Sequence, residues 1–183
     1  MRVRSCTRAR RADRGRTGSG QSLVEFALVL LPLFFILLGI IQFGFIFNTY
    51  VTMTNASRDA ARLGTIYIYD MSPGMTKALN DSARNDSIKD AVLTSMNMLG
   101  KTAPNFNVGM TWTQSGSTYT NGDLVITYTT PSGVPATDQR TGQELTVKAT
   151  YHQDLIIPLI SALLPKDAGG RLPLTGEVTM VIN

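Results

Sequence analysis

One carboxylate, Glu25, stands at the head of a run in which no charged residue occurs between Phe26 and Ser57. An ionised side chain in lipid costs about 2.5–3.5 kcal/mol at a helix centre and less near its end, unless it is paired or reaches water. Glu25 therefore has two possible uses. It can snorkel to the interface and favour the positive end of the helix dipole, or it can neutralise a cation supplied for it.

Other residues able to do chemistry are few. His152 is the only histidine. It falls at a polar position of an alternating strand, where simple solvation is its ordinary state. As a base it would need Asp154 or Asp123 beside it. Asp81, Asp86 and Asp90, interleaved with Arg84 and Lys89, read as a solvated helix face, because calcium loops need tighter ligand spacing and a central glycine. The single cysteine is Cys6, so residues 21–183 offer no thiolate nucleophile, Cys-based zinc site or disulfide. No G-x-S-x-G, H-E-x-x-H or P-loop pattern occurs. These residues argue against an enzyme and against a metal or cofactor.

The elements that must position Glu25 begin with charge. Residues 1–20 hold seven arginines against Asp13, a net of +6, while the whole chain carries +4; residues 21–183 therefore carry a net −2. Basicity confined to the flank of an apolar run marks membrane topology, with the N-terminus in the cytoplasm, and not a nucleic-acid surface. The apolar run from Leu23 to Phe47 would form a helix of roughly 37 Å, enough to cross a hydrocarbon core about 30 Å thick with some tilt. It is too long for a signal-peptide core and lacks an A-x-A site after it, so it reads as a retained anchor. Pro32 removes one helical hydrogen bond and introduces a kink.

Helical spacing continues beyond the run. Met53, Ala56, Ala60, Leu63 and Tyr67 draw one stripe, which predicts a single helix from about Ser22 to Tyr67. Ala56, Ala60 and Gly64 permit close approach of a neighbour, first of all the protein's own domain. After the break at Met71-Ser72-Pro73-Gly74, a second helix is expected over 76–99, ended by Gly100. Strands are expected around Phe106–Trp112, over Leu124–Tyr128 after the Asn121-Gly122 turn, over Leu145–His152, and over Glu177–Ile182. The apolar stretch 155–176 reads as a loop that covers the open end of the sheet, dips into the membrane interface or meets another subunit. The fold class is α+β: a long N-terminal helix, half transmembrane and half exported, a second helix and a small antiparallel sheet.

With these elements in place, the segment GQSLVEFALVLLPLFFILLGIIQFGFIFNTYVTMTNASRDAAR resembles the N-terminal signature of the TadE-like pseudopilins of the tight-adherence (Flp, type IV-type) pilus system. The resemblance rests on Gly20-Gln21, Val24-Glu25-Phe26, Pro32, and the Asn55, Arg58 and Arg62 stretch. Ala60-Ala61 departs from the family's usual Gly-Ala before the last arginine. The resemblance implies cleavage by a prepilin peptidase between Gly20 and Gln21. The carboxylate of Glu25 would then pair with the new amine of a neighbouring subunit. It further implies four segments: 1–20 a cleaved leader, 21–47 a transmembrane helix, 48–69 its exported continuation, and 70–183 an extracytoplasmic α+β domain. The implied partners are the peptidase, TadF-like pseudopilins, the Flp pilin, the inner-membrane assembly platform and the bilayer. The implied role is to initiate, prime or cap a pilus. An anchored binding module over residues 71–183 is the alternative, with an anchored enzyme using His152 behind it.

Overall fold

The computed structural model describes residues 18–96, 111–157 and 161–183. Helix α1 spans Gly18–Thr65, helix α2 spans Lys77–Met96, and five strands follow: β1 Thr113–Ser115, β2 Thr118–Asn121, β3 Leu124–Thr129, β4 Glu144–Gln153 and β5 Leu172–Val181. This is the α+β class expected. The chain divides into two units between Ile40 and Ile41.

In the first unit, every side chain from Gln21 to Leu37 is exposed. Among the described residues, one helix, α1, is long and apolar enough to cross a membrane. Pro32 lies inside it without ending it. Toward its C-terminal half, Thr52 and Thr54 each donate a hydroxyl to the carbonyl one turn back, on Asn48 and Tyr50. These bonds satisfy hydroxyls that would otherwise compete with the helix. At the end, Thr65 Oγ1 and the Ile66 amide both donate to the Arg62 carbonyl, at 2.8 and 3.2 Å. The helix thus stops at Thr65, short of the expected Tyr67. Its buried stripe also differs: Met53, Ala56, Ser57, Ala60, Ala61 and Gly64 face inward, whereas Leu63 is 44 % exposed.

Helix α2 starts where Thr76 Oγ1 accepts the Leu79 amide at 3.3 Å, an N-cap arrangement. The preceding loop is tied down by buried Asn80. Its Oδ1 accepts from the Asp70 amide and Tyr67 hydroxyl, and its Nδ2 donates to the Asp70 and Thr76 carbonyls. Gly74 supplies the left-handed residue of the turn, with φ of 94°. The expected positions Leu99, Gly100, Phe106, Val108 and Met110 lie outside the described residues.

The sheet is an antiparallel meander in the order β1-β2-β3-β4-β5. Leu124, Ile126 and Tyr128 of β3 and Leu145, Val147, Ala149 and Tyr151 of β4 point inward. They pack on Met53, Ala56, Ala60 and Ala61 of α1 and on Ile88, Val92 and Met96 of α2. Small residues set the spacing of the layers. A Cβ at Gly64 would meet Leu145 Cδ2 at 2.4 Å, and one at Gly176 would meet the Met53 carbonyl oxygen at 2.7 Å. Across the outer face, Thr118, Thr127, Thr146 and Thr179 stand in one register row. The Thr118–Thr127 and Thr146–Thr179 hydroxyls bond at 3.2 and 2.8 Å; such cross-strand pairs favour the pleated conformation.

Two expectations about strands change. Trp112 precedes β1 and does not lie in a strand, while β2 is an additional strand formed around the Gly116-Ser117 turn. The last strand begins at Leu172 instead of Glu177, running through Pro173. Proline is tolerated there because β5 is an edge strand among the described residues.

Candidate functional site

All residues singled out for assembly and processing lie on α1. Gly20, Gln21, Val24, Glu25 and Phe26 occupy its first turns, and Gln21 Nε2 donates to Glu25 Oε1 at 3.0 Å. The bond places Gln21 and Glu25 on one helix face, one turn apart. Val24 and Phe26 are exposed apolar side chains on either side of it. Farther along, Asn55, Arg58 and Arg62 are exposed and share a stripe at spacings of three and four residues, on the side away from the buried Met53, Ala56 and Ala60.

In the second unit, polar chemistry concentrates in a cluster that the sequence did not single out. Asp81 and Arg84, expected on a solvated face, are buried, as is Lys89; Asp90 is exposed and Asp86 intermediate. Arg84 lies over the Tyr67 ring and donates to the Gln139 carbonyl, Lys89 pairs with Asp86, and Asp81 is held by a long-range ion pair. Arg140 donates through Nε and Nη2 to the two oxygens of Asp81 at 2.7 and 2.8 Å, and through Nη1 to Gln143 Oε1. Burial works against the Arg140 guanidinium, but the Asp81 carboxylate more than compensates and holds its pKa up. Its guanidinium also lies 3.9 Å from the centre of the Tyr128 ring. Tyr119 donates to Asp81, and Tyr128 donates to Asn85; burial pushes the Tyr128 hydroxyl pKa well above its ordinary value. Arg140 adopts φ of 62°, unusual for a residue with a side chain, and so aims its guanidinium at α2. A cleft of about 600 Å³ opens over this cluster, lined by Lys77, Asp81, Gln114, Tyr119, Tyr128 and Arg140. Asp81 and Arg140 satisfy one another and so anchor the 130–143 loop to α2, while Arg84 Nε and Nη1 have no hydrogen-bond partner among the described residues.

His152 is not simply solvated either. Its Nε2 faces Asp123 Oδ1 at 3.2 Å and its Nδ1 faces Asp167 Oδ2 at 2.5 Å. Asp123 and Asp167, and not Asp154, are brought to the ring. The Asp167 pKa is lowered chiefly by the Arg171 amide, against some burial, and further by His152. With both ring nitrogens facing carboxylates, His152 joins the β2–β3 turn to the loop before β5. Among the described residues no three His, Cys, Asp or Glu side chains converge as a metal site would require.

The segment that carries Glu25 has a counterpart among known families. Residues 20–62 are TadE-like. They match the family model described as TadE-like protein, from Gly20 to Arg62, and so take in every processing, assembly and signature residue named on α1. No curated protein and no solved structure gives a significant match to the chain. The TadE-like segment crosses the boundary between the two units. Its first part is exposed and apolar around Glu25. Its last part supplies Met53, Ala56, Ser57, Ala60 and Ala61 to the core.

Proposed function

We propose that this protein is a TadE-like pseudopilin, a membrane-anchored assembly component of a tight-adherence pilus that works by association and catalyses no reaction. The observation that carries the reading is the family match, which opens at Gly20 and includes Glu25. The basic leader stays in the cytoplasm, α1 crosses the inner membrane once, and the α+β domain lies outside. A prepilin peptidase cuts between Gly20 and Gln21. The new α-amino group at Gln21 then pairs with Glu25 of a neighbouring subunit, offsetting the cost of a carboxylate near lipid and fixing the axial register between helices. TadF-like pseudopilins, the Flp pilin and the assembly platform are the partners, and the protein initiates, primes or caps the filament.

Residue-level support comes from the local geometry. A Cβ at Gly20 would meet nothing within 4 Å, and alanine favours a helix over glycine by about 1 kcal/mol. Gly20→Ala therefore leaves the fold intact, and any effect reads peptidase recognition. Intact-mass measurement of membrane-extracted protein from the native host tests the proposal. The wild-type chain is expected to start at Gln21, and Gly20→Ala to retain its leader. Glu25→Gln is expected to be trimmed but not assembled. A mature wild-type chain starting at Met1 refutes the cleavage, and normal assembly of Glu25→Gln refutes the pairing.

A further inference from the structure

A polar residue interrupts the apolar face of α1 at Gln42, and the structure shows what receives it. Gln42 is 1 % exposed, and its Oε1 accepts the Ile156 amide at 2.9 Å. Two turns on, Thr49 Oγ1 donates to Gln153 Oε1 at 2.7 Å. The chain that leaves β4 is thus fastened to α1 at two points, both among aromatic and aliphatic side chains. Ile41, Phe43, Phe45 and Phe47 are exposed on the helix, and on the fastened segment Ile156 is 71 % exposed. Leu163, on the turn that follows, is 81 % exposed.

Counting along the sequence gives the depth of this patch. Gln42 is the seventeenth residue after Glu25, and a hydrocarbon core takes about 20 helical residues. With Glu25 near the cytoplasmic face, Gln42 falls at the outer edge of the hydrocarbon. There the Ile156 amide satisfies the carboxamide oxygen of Gln42, while Gln42 Nε2 has no hydrogen-bond partner among the described residues, a cost that is smaller at the edge of the hydrocarbon than in its centre.

We infer that Ile156 and Leu163 seat the exported domain on the outer leaflet of the bilayer, with the Gln42–Ile156 and Thr49–Gln153 bonds holding that contact at the helix. The occupant is lipid because the Gln42–Ile156 bond holds exposed Ile156 on the stretch of α1 where Ile41, Phe43, Phe45 and Phe47 are themselves exposed and apolar. The charges nearby are exposed Asp154 and Lys166, one of each sign, so apolar burial and not attraction to anionic headgroups carries the contact. This inference rests on the membrane-anchor part of the proposed function.

The test uses the full-length chain with Cys6→Ser, which removes its sole cysteine. Single cysteines at Phe34→Cys, Ile156→Cys, Leu163→Cys and Ile68→Cys each carry a nitroxide, in vesicles of phosphatidylcholine and phosphatidylglycerol. Ile68 is exposed beyond the end of α1 and serves as the water-side reference. Collision with oxygen, which concentrates in lipid, is compared with collision with a polar nickel chelate. The oxygen-to-nickel ratio at 156 and 163 is expected to be several-fold above that at 68 and below that at 34. If 34 reads as lipid while 156 and 163 match 68, the docking is refuted and the anchor stands. Shielding of 156 and 163 from both reagents also refutes it, because that signals a protein partner. If 34 matches 68, the anchor reading fails and this inference fails with it.

Discussion

At Gly176 the sheet meets the backbone of the TadE-like helix itself, which makes Gly176→Ala a sensitive probe of that contact. The added methyl would lie 2.7 Å from the Met53 carbonyl oxygen, 2.8 Å from Ser57 Oγ and 2.9 Å from the Met53 carbonyl carbon. Ordinary contact begins near 3.4 Å, so about 0.7 Å must be found. A serine hydroxyl can rotate away, but a helical carbonyl is held by the amide one turn on. The whole turn therefore has to move. Overpacking of this kind costs about 1–3 kcal/mol. The Ser57 Oγ bond to the Gly176 carbonyl, 3.1 Å long, is lost with it at about 0.5–1.5 kcal/mol. Reduced freedom of the unfolded chain returns about 0.4–1 kcal/mol, leaving a net loss of about 2 kcal/mol, within a span of roughly 0.5–4. Denaturant unfolding of the full-length protein in detergent, followed by Trp112 fluorescence, measures it. Ser57→Ala is the companion variant, expected to lose only the hydrogen-bond part. A Gly176→Ala midpoint within about 0.5 kcal/mol of wild type would refute the reasoning, since it would mean α1 is free to lift from β5.

Two further outcomes follow from the charged groups of α2. Asp81→Asn leaves the Arg140 guanidinium buried without its carboxylate and should cost about 3–5 kcal/mol; Asp81→Asn with Arg140→Met should cost clearly less than the two single changes added, and a purely additive cycle in the same unfolding assay would refute the pairing. Asp86 accepts from the Trp112 indole and from Lys89, at 3.0 and 2.9 Å. Burial raises its pKa, but these two donors outweigh it and the net shift is downward. The stability Asp86 contributes is therefore fully present above its ordinary value of about 3.9 and is lost as pH falls through the lower folded value. Trp112 emission should hold steady down to about pH 4 and change below it, and Asp86→Asn should abolish that step.

The parts of the fold legible in the sequence are those written in local pattern. The charge-free run and the i, i+3, i+4 spacing after it define α1. The strict alternation of Leu145, Val147, Ala149 and Tyr151 defines β4 and its inward face. β2 escaped because Thr118-Tyr119-Thr120-Asn121 is polar except for one ring, and its pairing with β3 creates the pattern instead of reflecting it. The start of β5 is hidden because Pro173 and Gly176 look like loop residues, yet one sits on a sheet edge and the other lies against the α1 backbone. The Asp81–Arg140 and His152–Asp167 pairs were invisible for a different reason. Each partner alone has the signature of a solvated charge, and only the folding of loops far apart in sequence brings it a counter-ion.

The same distinction decides where assembly contacts should be sought. Ala56, Ala60 and Gly64 had the spacing of a helix–helix interface, but they are occupied: Ala56 and Ala60 are fully buried in the protein's own core, and Gly64 abuts Leu145 and Ile88. A stripe so used is not available to a partner subunit. Open on that half of α1 is the opposite stripe, Val51, Asn55, Arg58 and Arg62, with Tyr50, Asp59 and Leu63 exposed beside it; three of the stripe's four residues come from the family signature. Under the proposed function, a neighbouring pseudopilin therefore meets polar and cationic side chains outside the membrane. Contact inside the membrane is apolar, around the single pairing of Glu25 with the amine of Gln21. Apolar packing gives lateral affinity without register. The carboxylate–amine pair, with at most a few charged contacts above it, must then fix which turn of one helix faces which turn of the next.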